Sequence, residues 1–205
     1  MKKLMIMGAI LTLVACSKEE KATVEKSGSL SDLVSDGKDY SKVNNAMQGI
    51  NNNIETLKKL QPRTNQELKT VLPKQLLGLK RKEISAGDNA MLNLSTAEAK
   101  YTEGENKNIK LEIIDGAGET GSTMVSIMMM GLNADQEKIT ETGFEKSKEI
   151  NGVKSTVSED KKVDHVISKI QTVLKNRYLV TLTADGFSSD ELQKALDEIN
   201  ISALK

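Results

Sequence analysis

The sequence predicts an α+β domain: an antiparallel meander sheet of about six or seven strands packed with helices, preceded by an amphipathic helix. Three observations predict it. Apolar residues recur at helical spacing up to Leu60; short alternating runs separated by turn residues fill 76–185; and Ser188-Ser189-Asp190-Glu191 has the capping pattern that opens a last helix. Consecutive strands joined by tight turns pair antiparallel, which sets this pattern apart from a βαβ array.

The helical lead-in covers 41–72. Val43, Met47, Ile50, Ile54, Leu57 and Leu60 fall on one stripe, while Asn44, Asn45, Asn51, Asn52 and Asn53 make the other side a weak helix former. This helix therefore depends on packing its stripe against something. Thr64-Asn65-Gln66-Glu67 is a capping box for a short helix that Pro73 stops. The sheet region is 76–205, with strands expected near Leu79–Ser85, Ala97–Thr102, Ile109–Ile114, Phe144–Ile150, Val153–Glu159, His165–Leu174 and Tyr178–Thr183. Asn151-Gly152 is the pair a type I′ hairpin needs, and Lys175-Asn176 leaves a second hairpin-length gap. Helices are expected over 123–132, with Ser122 as its candidate cap, and over 189–200, where Leu192, Ala195, Leu196 and Ile199 form the buried side.

The N-terminus speaks to compartment. Met1-Lys2-Lys3 is a cationic lead, and Leu4 to Val14 is an apolar run of export-signal length, too short to span a bilayer. It ends in Leu13-Val14-Ala15-Cys16, which resembles the lipobox of bacterial lipoproteins. That resemblance implies cleavage between Ala15 and Cys16, diacylation of Cys16, and attachment to a membrane of the cell envelope, the outer membrane being the expected one. An ordinary secretory signal cut near Ala15, leaving a spare thiol, is the alternative. Cys16 is the only cysteine, so the mature domain has no disulfide framework and no multi-thiolate metal site.

Residues Ser17 to Tyr40 are rich in Ser, Lys, Glu, Asp and Gly and read as a flexible tether. The expected organisation is a signal peptide over 1–15, lipidated cysteine and tether over 16–40, and one domain over 41–205. Ser17-Lys18-Glu19-Glu20 resembles the acidic tag of surface-exported lipoproteins of Bacteroidota; a solvated linker is the other reading, so periplasmic and surface display both stay open.

The chain carries 29 basic and 29 acidic residues; Lys2 and Lys3 leave with the signal, so 27 basic residues face 29 acidic. Such a balance gives no electrostatic case for nucleic acid. Aromatics are 2% with no Trp, which argues against a carbohydrate platform.

Candidate chemistry is sparse. Gly116, Gly118 and Gly121 spell G-x-G-x-x-G, yet Lys110 and Glu112 alternate with Ile109, Leu111 and Ile113, so one side of the preceding strand is wet and no nucleotide site is expected. Asp115 before the glycines reads as turn chemistry and the lone His165 as a sheet residue; Lys146 and Lys148 beside Ser147 read as strand alternation. No catalytic residues, cofactor or metal are expected. Met124, Val125, Ile127, Met128, Met129, Met130 and Leu132 cover nearly the whole circumference of a helix, which predicts burial on more than one side. Two functional alternatives stand beside that core reading: a soft apolar contact for a ligand or partner at Met124 and Met128, or a thioether copper(I) site on the same pair.

The element order from Leu76 onward resembles the PsbP-like α/β/α sandwich. That resemblance implies an accessory or binding module. The expectation is a lipid-anchored, non-enzymatic interaction module with an envelope protein partner; the alternative is a carrier or chaperone for a hydrophobic ligand.

Overall fold

The computed structural model describes residues 40–89, 94–104 and 107–204. Along the chain come α1 (Tyr40–Lys58), α2 (Asn65–Thr70), β1 (Gln75–Leu76), β2 (Leu79–Asn89), β3 (Leu94–Thr102), β4 (Asn108–Asp115) and α3 (Gly118–Asn133). They are followed by β5 (Glu137–Ile139), β6 (Gly143–Ile150), β7 (Val153–Lys161), β8 (Val166–Leu174), β9 (Tyr178–Asp185), α4 (Ser189–Asp197) and a 3-10 turn at Ile201–Ala203. Among the described residues the class is α+β, built on one antiparallel sheet of nine strands in the order β1-β2-β3-β4-β9-β8-β7-β6-β5.

Nine strands exceed the six or seven expected. The additions, β1 and β5, are edge strands of two and three residues, too short for a period-2 signal to register. Nor is the sheet a single meander. The run β1 to β4 ends in the centre, α3 carries the chain to the far edge, and β5 to β9 return until β9 pairs with β4 from Asn108↔Asp185 to Asp115↔Tyr178. The helix length suits that crossing. Its 16 residues rise about 24 Å, and five inter-strand steps of about 4.8 Å lie between β4 and β5.

One sheet face carries the main apolar core. Ala97, Ala99 and Tyr101 of β3, Ile109, Leu111 and Ile113 of β4, and Val180, Leu182 and Ala184 of β9 alternate inward, where Leu68 of α2 and Leu192 and Ala195 of α4 cover them. Tyr101 donates its hydroxyl to the Pro73 carbonyl at 2.9 Å, and burial pushes its pKa up to about 12. The opposite face divides in two. At one end Ile114, Leu179 and Val173 pack under Val125 and Leu132 of α3 and Leu57 of α1. Beyond them the rows Glu98↔Glu112↔Thr181↔Gln171 and Lys100↔Lys110↔Thr183↔Lys169 face water.

The hairpins follow their turn residues. Asn151 (φ 51°) and Gly152 (φ 77°) close β6 onto β7, and Lys175 and Asn176 also adopt positive φ between β8 and β9. The capping boxes at Thr64/Glu67 and Ser188/Glu191 are both closed in both directions.

Candidate functional site

The corner where β4 passes into α3 is built around a buried carboxylate. Asp115 is 0% exposed. Its Oδ1 accepts from Arg177 Nε at 2.6 Å and from the Ala117 N–H at 3.1 Å; its Oδ2 accepts from Arg177 Nη2 at 2.8 Å and from the Arg63 N–H at 2.7 Å. A charge out of water is tolerated only when paired and fully hydrogen-bonded, and these four donors meet that demand. Asp115 in turn holds Arg177 further above the usual guanidinium range. Arg177 also donates to the Gln61 carbonyl at 3.2 Å and lies 5.2 Å from the Tyr178 ring centroid. The clamp ties together the segment after α1, the β4–α3 corner and the β8–β9 turn.

Each glycine of the G-x-G-x-x-G pattern has a structural duty there, two by packing and one by backbone conformation. A Cβ on Gly116 would stand 2.4 Å from the Arg177 carbonyl oxygen, and one on Gly121 would stand 2.6 Å from that of Asp115. Gly118 opens α3 at φ 79°, a left-handed conformation that suits glycine. The neighbouring Ala117 N–H is already held by Asp115, and β4 pairs antiparallel on both sides. A dinucleotide loop instead follows a parallel strand. The helix begins at Gly118, five residues before the expected start, so Ser122 is not its cap. Ala117 occupies that position, and Ser122 lies within the helix with its hydroxyl donated to the Glu119 carbonyl at 2.9 Å.

Helix α3 is not buried all round. The side against the sheet carries Gly121, Ser122, Val125, Ser126 and Leu132, while Ile127 is 67% and Met130 39% exposed. The correction has a physical cause. Small residues let the helix axis approach the sheet closely, so the contact ridge is narrow and the bulky side chains are displaced to its flanks and outer side. Counting apolar residues around the wheel overlooks this; the Gly121-Ser122…Ser126 spacing was the signal that could have revealed it. On one flank Asn53 of α1 donates to Met129 Sδ at 3.6 Å and to the Asn176 carbonyl at 2.7 Å, and Lys58 meets Glu119 at 3.6 Å.

On the other flank lies a surface groove of about 370 Å³ between α3 and strands β6, β7 and β9. Met124, Ile127 and Met128 form one wall; Leu179, Thr156 and Ser147 line the sheet side, with Glu145 and Lys146 among the lining. The two methionines singled out in the sequence therefore share one wall, and the sheet residues opposite them were not foreseen. The Ser147 hydroxyl is donated to the Ala134 carbonyl at 2.8 Å, Lys146 lies 4.8 Å from the Phe144 ring centroid, and Lys148 faces Asp190 at 3.7 Å. The groove offers apolar contact with a polar rim.

His165 stands immediately before β8, with Nδ1 2.7 Å from Asp164 Oδ1 and Nε2 3.6 Å from Asp185 Oδ1. Among the described residues no three His, Cys, Asp or Glu side chains gather as a metal site. Ala15 and Cys16, the expected cleavage and lipidation positions, lie outside the described residues. No family model matches the chain, and no curated protein or solved structure matches it either.

Proposed function

We propose that the chain is a lipid-anchored protein of the cell envelope whose domain serves as a non-catalytic interaction module, docking a protein partner on the outer side of α3. The anchor is read from Leu13-Val14-Ala15-Cys16, with acyl chains on Cys16 inserted in the outer membrane. The binding role rests on one observation: Ile127 and Met130 present apolar surface to water beside the Met124/Met128 wall, although the helix has a sheet to pack on. Clustered methionines give a partner an adaptable apolar contact.

The groove also supports a second reading, a carrier for a hydrophobic ligand at Met124 and Met128. Its volume of about 370 Å³ falls near the lower end for small-molecule sites, which run from about 300 to 1,000 Å³. A groove lying on the surface leaves much of a lipid chain wet, so the protein partner is favoured.

Two measurements test these readings. Metabolic labelling with an alkyne fatty acid should mark the wild-type chain and not Cys16→Ala; labelling of both would overturn the anchor. A photo-crosslinking residue in place of Ile127, activated in intact cells, should give a discrete protein adduct that Met130→Glu abolishes. A lipid-mass adduct would transfer the role to the carrier, and no adduct would overturn both.

A further inference from the structure

From Leu68 to Lys82 the chain carries Lys69, Lys74, Lys80, Arg81 and Lys82 without a single Asp or Glu, although its total charge is balanced. The fold gathers this run at one corner, where Lys74, Gln75, Lys80 and Arg81 line a single concave surface of about 650 Å³. Lys74, Lys80 and Lys82 are exposed. Arg81 is fixed in place, its Nη1 donating to the Leu72 carbonyl at 2.6 Å and the Pro73 carbonyl at 3.4 Å.

Several cations elsewhere are answered where they stand: Lys100 by Glu83, Lys110 by Glu98, Lys148 by Asp190. The two carboxylates that flank the run in sequence, Glu67 and Glu83, are held by other cations. Glu67 caps α2 and holds Arg63, Glu83 holds Lys100, and Glu198 accepts the Leu77 N–H. Among the described residues Lys74, Lys80 and Lys82 have no ionic partner. Three like charges on one concave surface, Lys74, Lys80 and Arg81, repel each other and project a positive field, which an external polyanion relieves.

We infer that this corner docks on the anionic headgroups of the bilayer in which Cys16 is anchored, and so fixes which side of the domain faces the membrane. The inference rests on the anchored reading. Tyr40 follows Cys16 by 24 residues, so the anchor keeps the domain within about 85 Å of the headgroups whatever path the chain takes. That tethering raises the effective concentration of headgroups above that of any free anion. Clusters of lysine and arginine bind anionic membrane surfaces through this kind of short-range attraction, which salt weakens.

The test uses the lipidated full-length chain on vesicles of phosphatidylcholine alone or mixed equally with phosphatidylglycerol. Flotation with phosphatidylcholine vesicles reports the anchor by itself. On the mixed vesicles, amine acetylation of Lys74, Lys80 and Lys82 should slow about fivefold relative to phosphatidylcholine and recover at high salt, as a screened contact must. Lys138 and Lys161, exposed on β5 and β7, should not change. Equal acetylation on the two vesicles, in a chain that floats with both, overturns the inference and leaves the anchor standing. Failure to float with phosphatidylcholine removes the anchor; flotation with neither vesicle then overturns the docking corner too, whereas salt-sensitive flotation with the mixed vesicles, lost in Lys74→Glu/Lys80→Glu, upholds it. Protection of the same lysines by inorganic phosphate without vesicles would overturn the bilayer as occupant in favour of a discrete anion site.

Discussion

Helices α3 and α4 lie on opposite faces of one sheet and are built by opposite rules. Helix α4 opens on the closed Ser188/Glu191 capping box and turns Leu192 and Ala195 into the core. Helix α3 has no side-chain cap, opens on a left-handed glycine, and places Gly121, Ser122 and Ser126 against the sheet while Ile127 and Met130 face outward. What seats α4 is its own amphipathic pattern. What seats α3 is, beside Val125 and Leu132 on the sheet, the corner beneath it: the Asp115 clamp and the close approach at Gly121. A helix that leaves bulky apolar side chains in water departs from local consistency, and such departures concentrate at functional surfaces.

The comparison can be broken at four points. Asp115→Ala should have the largest effect, about 3–5 kcal/mol in urea unfolding, because it leaves the half-buried Arg177 without its carboxylate. If Val125 and Leu132 alone seated α3, the loss would be far smaller. Next, Leu192→Ala should cost about 2–5 kcal/mol through the cavity it leaves under α4, whereas Ile127→Ala, at a site 67% exposed, should stay within about 0.5 kcal/mol. Paired unfolding curves in one buffer check that contrast.

Gly121→Ala sharpens it further. The added methyl would lie 2.6 Å from the Asp115 carbonyl oxygen and 2.8 Å from the Gly116 carbonyl carbon, and overpacking against backbone costs about 1–3 kcal/mol. Gly131→Ala, where nothing lies within 4 Å, is the control expected to be neutral or better. The smallest effect belongs to the α4 cap. Ser188→Ala should cost about 1 kcal/mol at neutral pH. The Ser188 backbone N–H and then its hydroxyl hold the Glu191 carboxyl below its ordinary value of 4.5. A carboxyl depressed on folding contributes stability above its unfolded pKa and loses it as pH falls through the folded one. The Ser188→Ala penalty should therefore shrink below that range, as unfolding curves across acid pH will show.

Much of the fold was legible in the residues. The alternation Ile109-Lys110-Leu111-Glu112-Ile113, the Asn151-Gly152 pair and the two capping boxes are local signals, and each lies where the structure has the corresponding strand, turn or cap. Long-range pairing was not legible. Nothing in the sequence near Tyr178 states that β9 returns beside β4, and the two edge strands gain their hydrogen bonds from neighbours rather than from their own pattern. The candidate site was half legible. Met124 and Met128 are conspicuous as a run, whereas Leu179, Thr156 and Ser147 come from three strands that only topology brings to one groove. Asp115 read as turn chemistry because its partners, Arg63 and Arg177, stand 52 and 62 residues away.

The most direct test of which side of α3 faces water uses the fact that Cys16 is the only cysteine. In a Cys16→Ala background, Ile127→Cys and Val125→Cys are each purified and exposed to a maleimide under native conditions. The thiol at 127 should react at the rate of a free thiol and the one at 125 only as the domain opens. Equal rates, or slower reaction at 127, would mean that Ile127 is not on an open surface and that the outer side of α3 is no docking surface.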